Sequence, residues 1–179
     1  INPRVHADKI DEEMWTYTVH LNLNVPFLVA QKFVPGMKAN GWGRIINIAS
    51  MQSSRAFPKG ISYGAAKGGV TQLTRAMAEA WSAYGITANA LAPGFFPTEL
   101  TAALFDDPKT AADLASRTAV GRNGKLEDLR GPLLFLASNA GAYITGQTIN
   151  VEMKHRGWFG FGGGKKKKPE ENSNIKYRN

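Results

Sequence analysis

Arg44-Ile45-Ile46-Asn47-Ile48-Ala49 is the stretch on which the fold turns. It is short and largely apolar, and Gly41-Trp42-Gly43 turns the chain into it. Such a run suits a central parallel strand covered on both faces. Ser50 stands at its carboxyl end. Residues 51–62 read as a loop, with Ser53, Ser54, Pro58 and Gly60. An alanine-rich stretch from about Ser62 to Tyr84 reads as a helix, and Gly85 is suited to end it. Ile86 to Leu91 is the next strand, broken by Pro93-Gly94.

The same alternation extends outward. Upstream, Asp11-Glu12-Glu13 places acids in the first turn of a helix, where the macrodipole favours them. Apolar residues continue through Phe33, and Pro26 and Pro35 are expected to kink or break that stretch. Downstream, Pro97 keeps the chain irregular, short helices are expected around 99–105 and 108–116, and a longer one over 126–138. Thr148-Ile149-Asn150-Val151 is a last strand. Strands and helices alternating at this spacing predict an α/β fold with a parallel sheet.

The 179 residues are 43% hydrophobic, an ordinary fraction for a globular chain. With no cysteine, disulfide scaffolds, cysteine-ligated zinc, iron–sulfur clusters and thiol nucleophiles are excluded, and no metal site is expected. No apolar run approaches the ~18 residues of a membrane span. The expectation is a soluble, cytoplasmic protein without a membrane role. The chain begins with Ile1 and its first methionine is Met14, which suggests processing or a fragment of a longer frame. Residues 1–153 hold 14 basic and 12 acidic side chains, whereas residues 154–179 hold 8 and 2. The net charge of +8 therefore belongs mainly to a Gly- and Lys-rich tail, expected to be disordered, and not to the body at 1–153. With no basic and aromatic surface on the body, no nucleic-acid partner is expected.

Tyr63-Gly64-Ala65-Ala66-Lys67 sets a phenol and an ammonium four positions apart, on one face of a helix. A neighbouring Lys⁺ stabilises phenolate and lowers the tyrosine pKa, so Tyr63 is a candidate general acid or base. A bare pair of this kind reads first as a solvated helix face. Ser50, 13 positions before Tyr63, changes the odds, because ligands bind beyond the carboxyl ends of parallel strands. Asn22 precedes Ser50 by 28 positions, and Pro93-Gly94-Phe95-Phe96-Pro97-Thr98 follows the next strand.

This ordered set resembles the short-chain dehydrogenase/reductase family over about residues 1–151. The resemblance implies a three-layer α/β/α Rossmann-type parallel sheet and NAD or NADP as cofactor. It implies that Tyr63 gives or takes the alcohol proton, and that Lys67 lowers its pKa and binds the nicotinamide ribose. Ser50 would orient the substrate oxygen, and Asn22 would kink its helix and hold a water of the proton relay. Pro93, Gly94, Phe96 and Thr98 would lie along the nicotinamide. The alternatives are that Asn22 is only a bridge to backbone and Thr98 only an N-cap, a role Thr98 can combine with the other.

The wording of Arg55-Ala56-Phe57-Pro58, of residues 65–79, of 93–100 and of Gly121-Arg122-Asn123-Gly124 resembles the gluconate 5-dehydrogenase-like branch. That implies a sugar acid or polyol, such as gluconate and 5-ketogluconate, as small-molecule substrate. Arg4 could pair with a substrate carboxylate, or be a surface arginine. Homo-oligomers, dimeric or tetrameric, are implied through helices near 11–39 and 63–84.

The sequence departs from the family in two places. The family's Gly-x-x-x-Gly-x-Gly turn, which cradles the pyrophosphate, does not stand in this chain, nor does the residue that chooses NAD or NADP. An incomplete sheet lacking the first βαβ segment is therefore expected, with weak stability and poor dinucleotide binding. After Val151 the family's Asp-Gly-Gly gives way to Glu152-Met153-Lys154-His155, as a shifted frame or a real extension would produce. A 3-oxoacyl-thioester reductase and a non-catalytic remnant are the alternatives. A nucleic-acid binder acting through the tail is a further, weaker one.

Overall fold

Asp11 opens the first helix with its own side chain, which accepts from the Met14 backbone N–H at 2.7 Å. Helix α1 (Glu12–Val19) passes through a single π-helical turn (His20–Asn24) into α2 (Val25–Ala39). The computed structural model describes residues 1–152. The expectations for residues 153–179, including the tail from Lys154, lie outside the described residues.

Neither proline ends this helical stretch; the irregularity expected at Pro26 takes the form of the π turn before it. An α-helix would need the Pro26 N–H at the Asn22 carbonyl, and proline has none. The wider π turn absorbs the mismatch and seats Pro26 in the first turn of α2. Pro35 stands inside α2 on its exposed side, where water can serve the carbonyl that loses its partner.

Three parallel strands follow: β1 (Gly43–Ile48), β2 (Ile86–Pro93) and β3 (Thr148–Val151), in the order β1-β2-β3. Ile45 is paired with Ala88, Ile48 with Leu91, and Leu91 in turn with Ile149. Helix α3 (Ile61–Trp81) makes the crossover from β1 to β2. A short 3-10 turn then ends at Gly85, whose φ of 76° is left-handed. A Cβ at Gly85 would lie 2.1 Å from the Gly41 carbonyl oxygen, so only glycine fits this meeting of the turns that lead into β1 and β2. Helices α4 (Ala102–Phe105), α5 (Pro108–Ser116) and α6 (Arg130–Ala137) occupy the connection from β2 to β3.

Helices α2 and α3 cover one face of the sheet. Ala30 and Val34 of α2, Met77 and Ala78 of α3, and Ile45, Ile86 and Ala88 of the strands form one buried cluster. Helix α6 packs on β1 and β2 from the other face, where Arg44 Nε donates to the Ser138 carbonyl. Among the described residues the central strand is β2, not β1. Strand β1 alternates between buried Gly43, Ile45 and Asn47 and less covered Arg44, Ile46 and Ile48, the last 55% exposed. Its apolar composition suits coverage on both faces, but α6 does not reach as far as Ile48.

Candidate active site

Two backbone facts place Ser50. The Ala49 N–H donates to the Leu91 carbonyl at 2.7 Å, extending the ladder one residue beyond β1. Ser50 is then extended and caps the 3-10 turn Met51–Ser53, its Oγ accepting from the Gln52 N–H at 3.1 Å. Ser53 closes the corner: its Oγ accepts from the Ser50 N–H at 3.2 Å and donates to the Lys67 carbonyl at 2.7 Å. The loop is thereby tied to α3 at the turn that carries the reactive pair.

Tyr63 and Lys67 lie one turn apart on the buried face of α3, each 9% exposed. The Lys67 Nζ stands 5.6 Å from the centre of the Tyr63 ring and donates to the Ile48 carbonyl at 2.7 Å. The Ser50 hydroxyl acts on the Tyr63 phenol in the direction that favours phenolate. Hydroxyl, phenol and ammonium are thus assembled at the carboxyl end of β1.

The electrostatics differ from the simplest expectation of a lysine pulling its neighbour down. Burial pushes the Tyr63 phenol above its ordinary value, and the Ser50 hydroxyl pulls the other way. Burial also lowers the Lys67 pKa, because an ammonium loses its hydration there. Its attachment to the Ile48 carbonyl holds the ammonium at the strand end, below the ring rather than at the phenol oxygen.

Asn22 is buried in the π turn, and its Nδ2 donates to the Thr18 and Ile1 carbonyls, both at 3.0 Å. The side chain is thus spent on backbone. Pro26 has no N–H to offer the Asn22 carbonyl, so that backbone oxygen lacks its α-helical partner. Asn22 and Lys67 line the same groove beside the free edge of β1.

The segment after β2 is shaped by close packing. The Gly94 N–H donates to the Val151 carbonyl at 3.0 Å, and a Cβ on Gly94 would fall 2.3 Å from the Glu152 carbonyl oxygen. The Phe96 ring is buried against Gly124, where a Cβ would come within 2.5 Å of it. Thr98 is exposed at the cap of the 3-10 turn Glu99–Thr101, and its N–H donates to the Thr101 hydroxyl at 2.9 Å. Pro93 ends β2 beside β1, so this segment flanks the Ser50 loop. Arg4 is exposed and lines no cavity beside this loop.

Two positioning residues carried no role in the sequence. Asn47 donates from β1 to the Thr74 hydroxyl of α3 at 2.9 Å and fixes the strand against the helix below Ser50. Its signal was an amide inside an otherwise apolar strand. Ser53 showed no signal beyond its loop.

A family profile described as enoyl-(acyl carrier protein) reductase matches residues 2–153. The chain belongs to the short-chain dehydrogenase/reductase family. It is 38% identical over 152 residues to the gluconate 5-dehydrogenase of Gluconobacter oxydans, covering 85% of this chain and 59% of that one. It is 36% identical over 143 residues to a 3-oxoacyl-acyl-carrier-protein reductase of Vibrio cholerae, covering 80% and 58%. The crystal structure of a gluconate 5-dehydrogenase from Burkholderia cenocepacia, in complex with NADP and tartrate, superposes with a TM-score of 0.81 at 43% identity over 84% of this chain and 59% of that one. The chain thus spans about three-fifths of the length of these relatives. The Rossmann-like sheet and its flanking helices are those of the family.

Proposed function

We propose that this chain takes part in the NAD(P)-dependent interconversion of a secondary alcohol and a ketone, on a sugar acid or polyol such as gluconate and 5-ketogluconate. The observation that carries this is the assembly of Ser50, Tyr63 and Lys67 at a strand end, with Tyr63 and Lys67 one turn apart on the buried face of α3 and Lys67 anchored on the Ile48 carbonyl. Likeness to two gluconate 5-dehydrogenases, one solved with NADP and the hydroxy acid tartrate, supports the substrate class.

The residues fit the nicotinamide riboside end of the cofactor. Lys67 uses one donor on Ile48 and an ammonium has three, so it can also hold a ribose hydroxyl. Pro93, Gly94, Phe96 and Thr98 would line the nicotinamide, with Thr98 at the carboxamide. The bound nicotinamide supplies the hydride or accepts it. In reduction Tyr63, kept protonated by burial, gives its proton to the carbonyl oxygen while Ser50 holds that oxygen. In oxidation Tyr63, ionised, would take the alcohol proton, and Lys67 with a water on the Asn22 carbonyl would pass it on to solvent. Arg4 remains a candidate for a substrate carboxylate. Residues 1–153 would act as one catalytic unit, in the cytoplasm, pairing with a second copy through α1–α2 and α3. Exposed Trp15, Tyr17 and Phe33 on α1 and α2 support that pairing.

Turnover of gluconate with NAD⁺ or NADP⁺ by the full chain tests this. Turnover that depends on the dinucleotide is expected. Tyr63→Phe is expected to lower kcat by about 10²–10⁴. Unchanged kcat in that variant would contradict the assignment, and no turnover by the wild-type chain would leave the remnant as the better account.

A further inference from the structure

A cavity of about 400 Å³ opens beside the Ser50 turn, reached through Met51 and Gly94. That volume lies toward the small end of ligand sites, which run from about 300 to 1,000 Å³. Four of its side chains are charged, Arg55, Asp113, Arg117 and Glu152, and Phe57 and Phe95 supply its aromatic walls. A long acyl chain would need an apolar channel. This cavity would leave such a chain against charges that lose their water, a costly arrangement.

The four charges are not equivalent. Both carboxylates are already engaged, Asp113 with Arg117 at 2.5 Å and Glu152 by the Ala119 N–H at 2.6 Å. A guanidinium carries five N–H donors, so one contact to Asp113 leaves Arg117 with donors to spare. Two arginines that line one small cavity can grip a carboxylate in the paired geometry a lysine does not offer.

We infer that Arg55 and Arg117 form the subsite that binds the carboxylate of a hydroxy-acid substrate, with its hydroxylated carbons along Phe57 and Phe95 toward Ser50. This rests on the proposed function, and makes Arg55 and Arg117 its specificity-determining residues in addition to Arg4. The pairing of Asp113 with Arg117 sets how much of that grip is available.

Calorimetric titration of the full chain with gluconate, and with glucitol as the uncharged polyol of the same length, tests the inference without turnover. The wild-type chain is expected to bind gluconate more tightly than glucitol. Arg55→Gln and Arg117→Gln are each expected to weaken gluconate by about tenfold or more and to leave glucitol unchanged. Asp113→Asn, which frees Arg117, is expected to shift gluconate the opposite way, toward tighter binding. Equal or absent binding of the two ligands, or equal shifts of both in the variants, would overturn the subsite. The function itself fails separately, on turnover surviving Tyr63→Phe, because charge discrimination in binding does not depend on the phenol.

Discussion

Strands β1 and β2 have similar apolar sequences and opposite surroundings. Every residue of β2 from Ile86 to Ala92 is at most 6% exposed, held between β1 and β3 with α3 across its face. On β1, Ile48 is 55% exposed, and a groove of about 410 Å³ runs along the strand's free edge. Leu21, Val29 and Phe33 of the helical stretch line that groove with Ile46 and Ile48. Hydrophobicity thus states that a strand wants cover, and neighbours decide whether it gets it. The site straddles the two regimes. Tyr63 is carried by α3, which packs on the secured strand, whereas Lys67 and Asn22 also border the open groove.

The sharpest way to break this contrast is a pair of truncations. Leu91→Ala on β2 removes a side chain that is 2% exposed, and is expected to cost about 2–5 kcal/mol. Ile48→Ala is expected to stay within about 0.5 kcal/mol, as surface substitutions do. Urea unfolding of both variants reads the difference, and equal costs would mean the two strands are equally covered. Next in size is Asn47→Ala, which takes the amide from the Thr74 hydroxyl between β1 and α3. A loss of about 1–3 kcal/mol is expected by the same measurement, since the amide's place is left empty in a buried site.

The smallest effect belongs to the far connection. The Arg122 guanidinium donates to both Asp128 carboxylate oxygens, at 2.6 and 2.9 Å, and holds that carboxyl well below its usual range. A depressed carboxyl adds stability above its unfolded pKa and loses it as pH falls through the folded one. Asp128→Asn is therefore expected to lower the melting temperature slightly at neutral pH. The gap between variant and wild type should close in strong acid, and a gap independent of pH would contradict the pairing.

That Ser50, Tyr63 and Lys67 come together was legible because two local rules meet there. A strand end placed Ser50, and one helical turn placed Tyr63 over Lys67. What spacing could not show is that Lys67 is drawn to the Ile48 carbonyl and that burial, not the ammonium, dominates at the phenol. Pro26 and Pro35 read as breakers because the sequence does not say that a π turn absorbs one and solvent the other. The rank of β1 in the sheet was illegible for a similar reason, since an apolar run does not count its neighbours. Arg55 and Arg117 stand 62 positions apart, and only the fold brings them to one cavity.

The proposed function requires Ser50 and Tyr63 to work as a proton-transfer pair in a buried setting. Ionisation of the Tyr63 ring, followed by NMR across the alkaline range in wild-type chain and in Ser50→Ala, tests it most directly. Ionisation is expected above the ordinary tyrosine value of about 10, with a further upward move in the variant, which loses the hydroxyl that favours phenolate. Ionisation at the ordinary value, indifferent to Ser50, would contradict it.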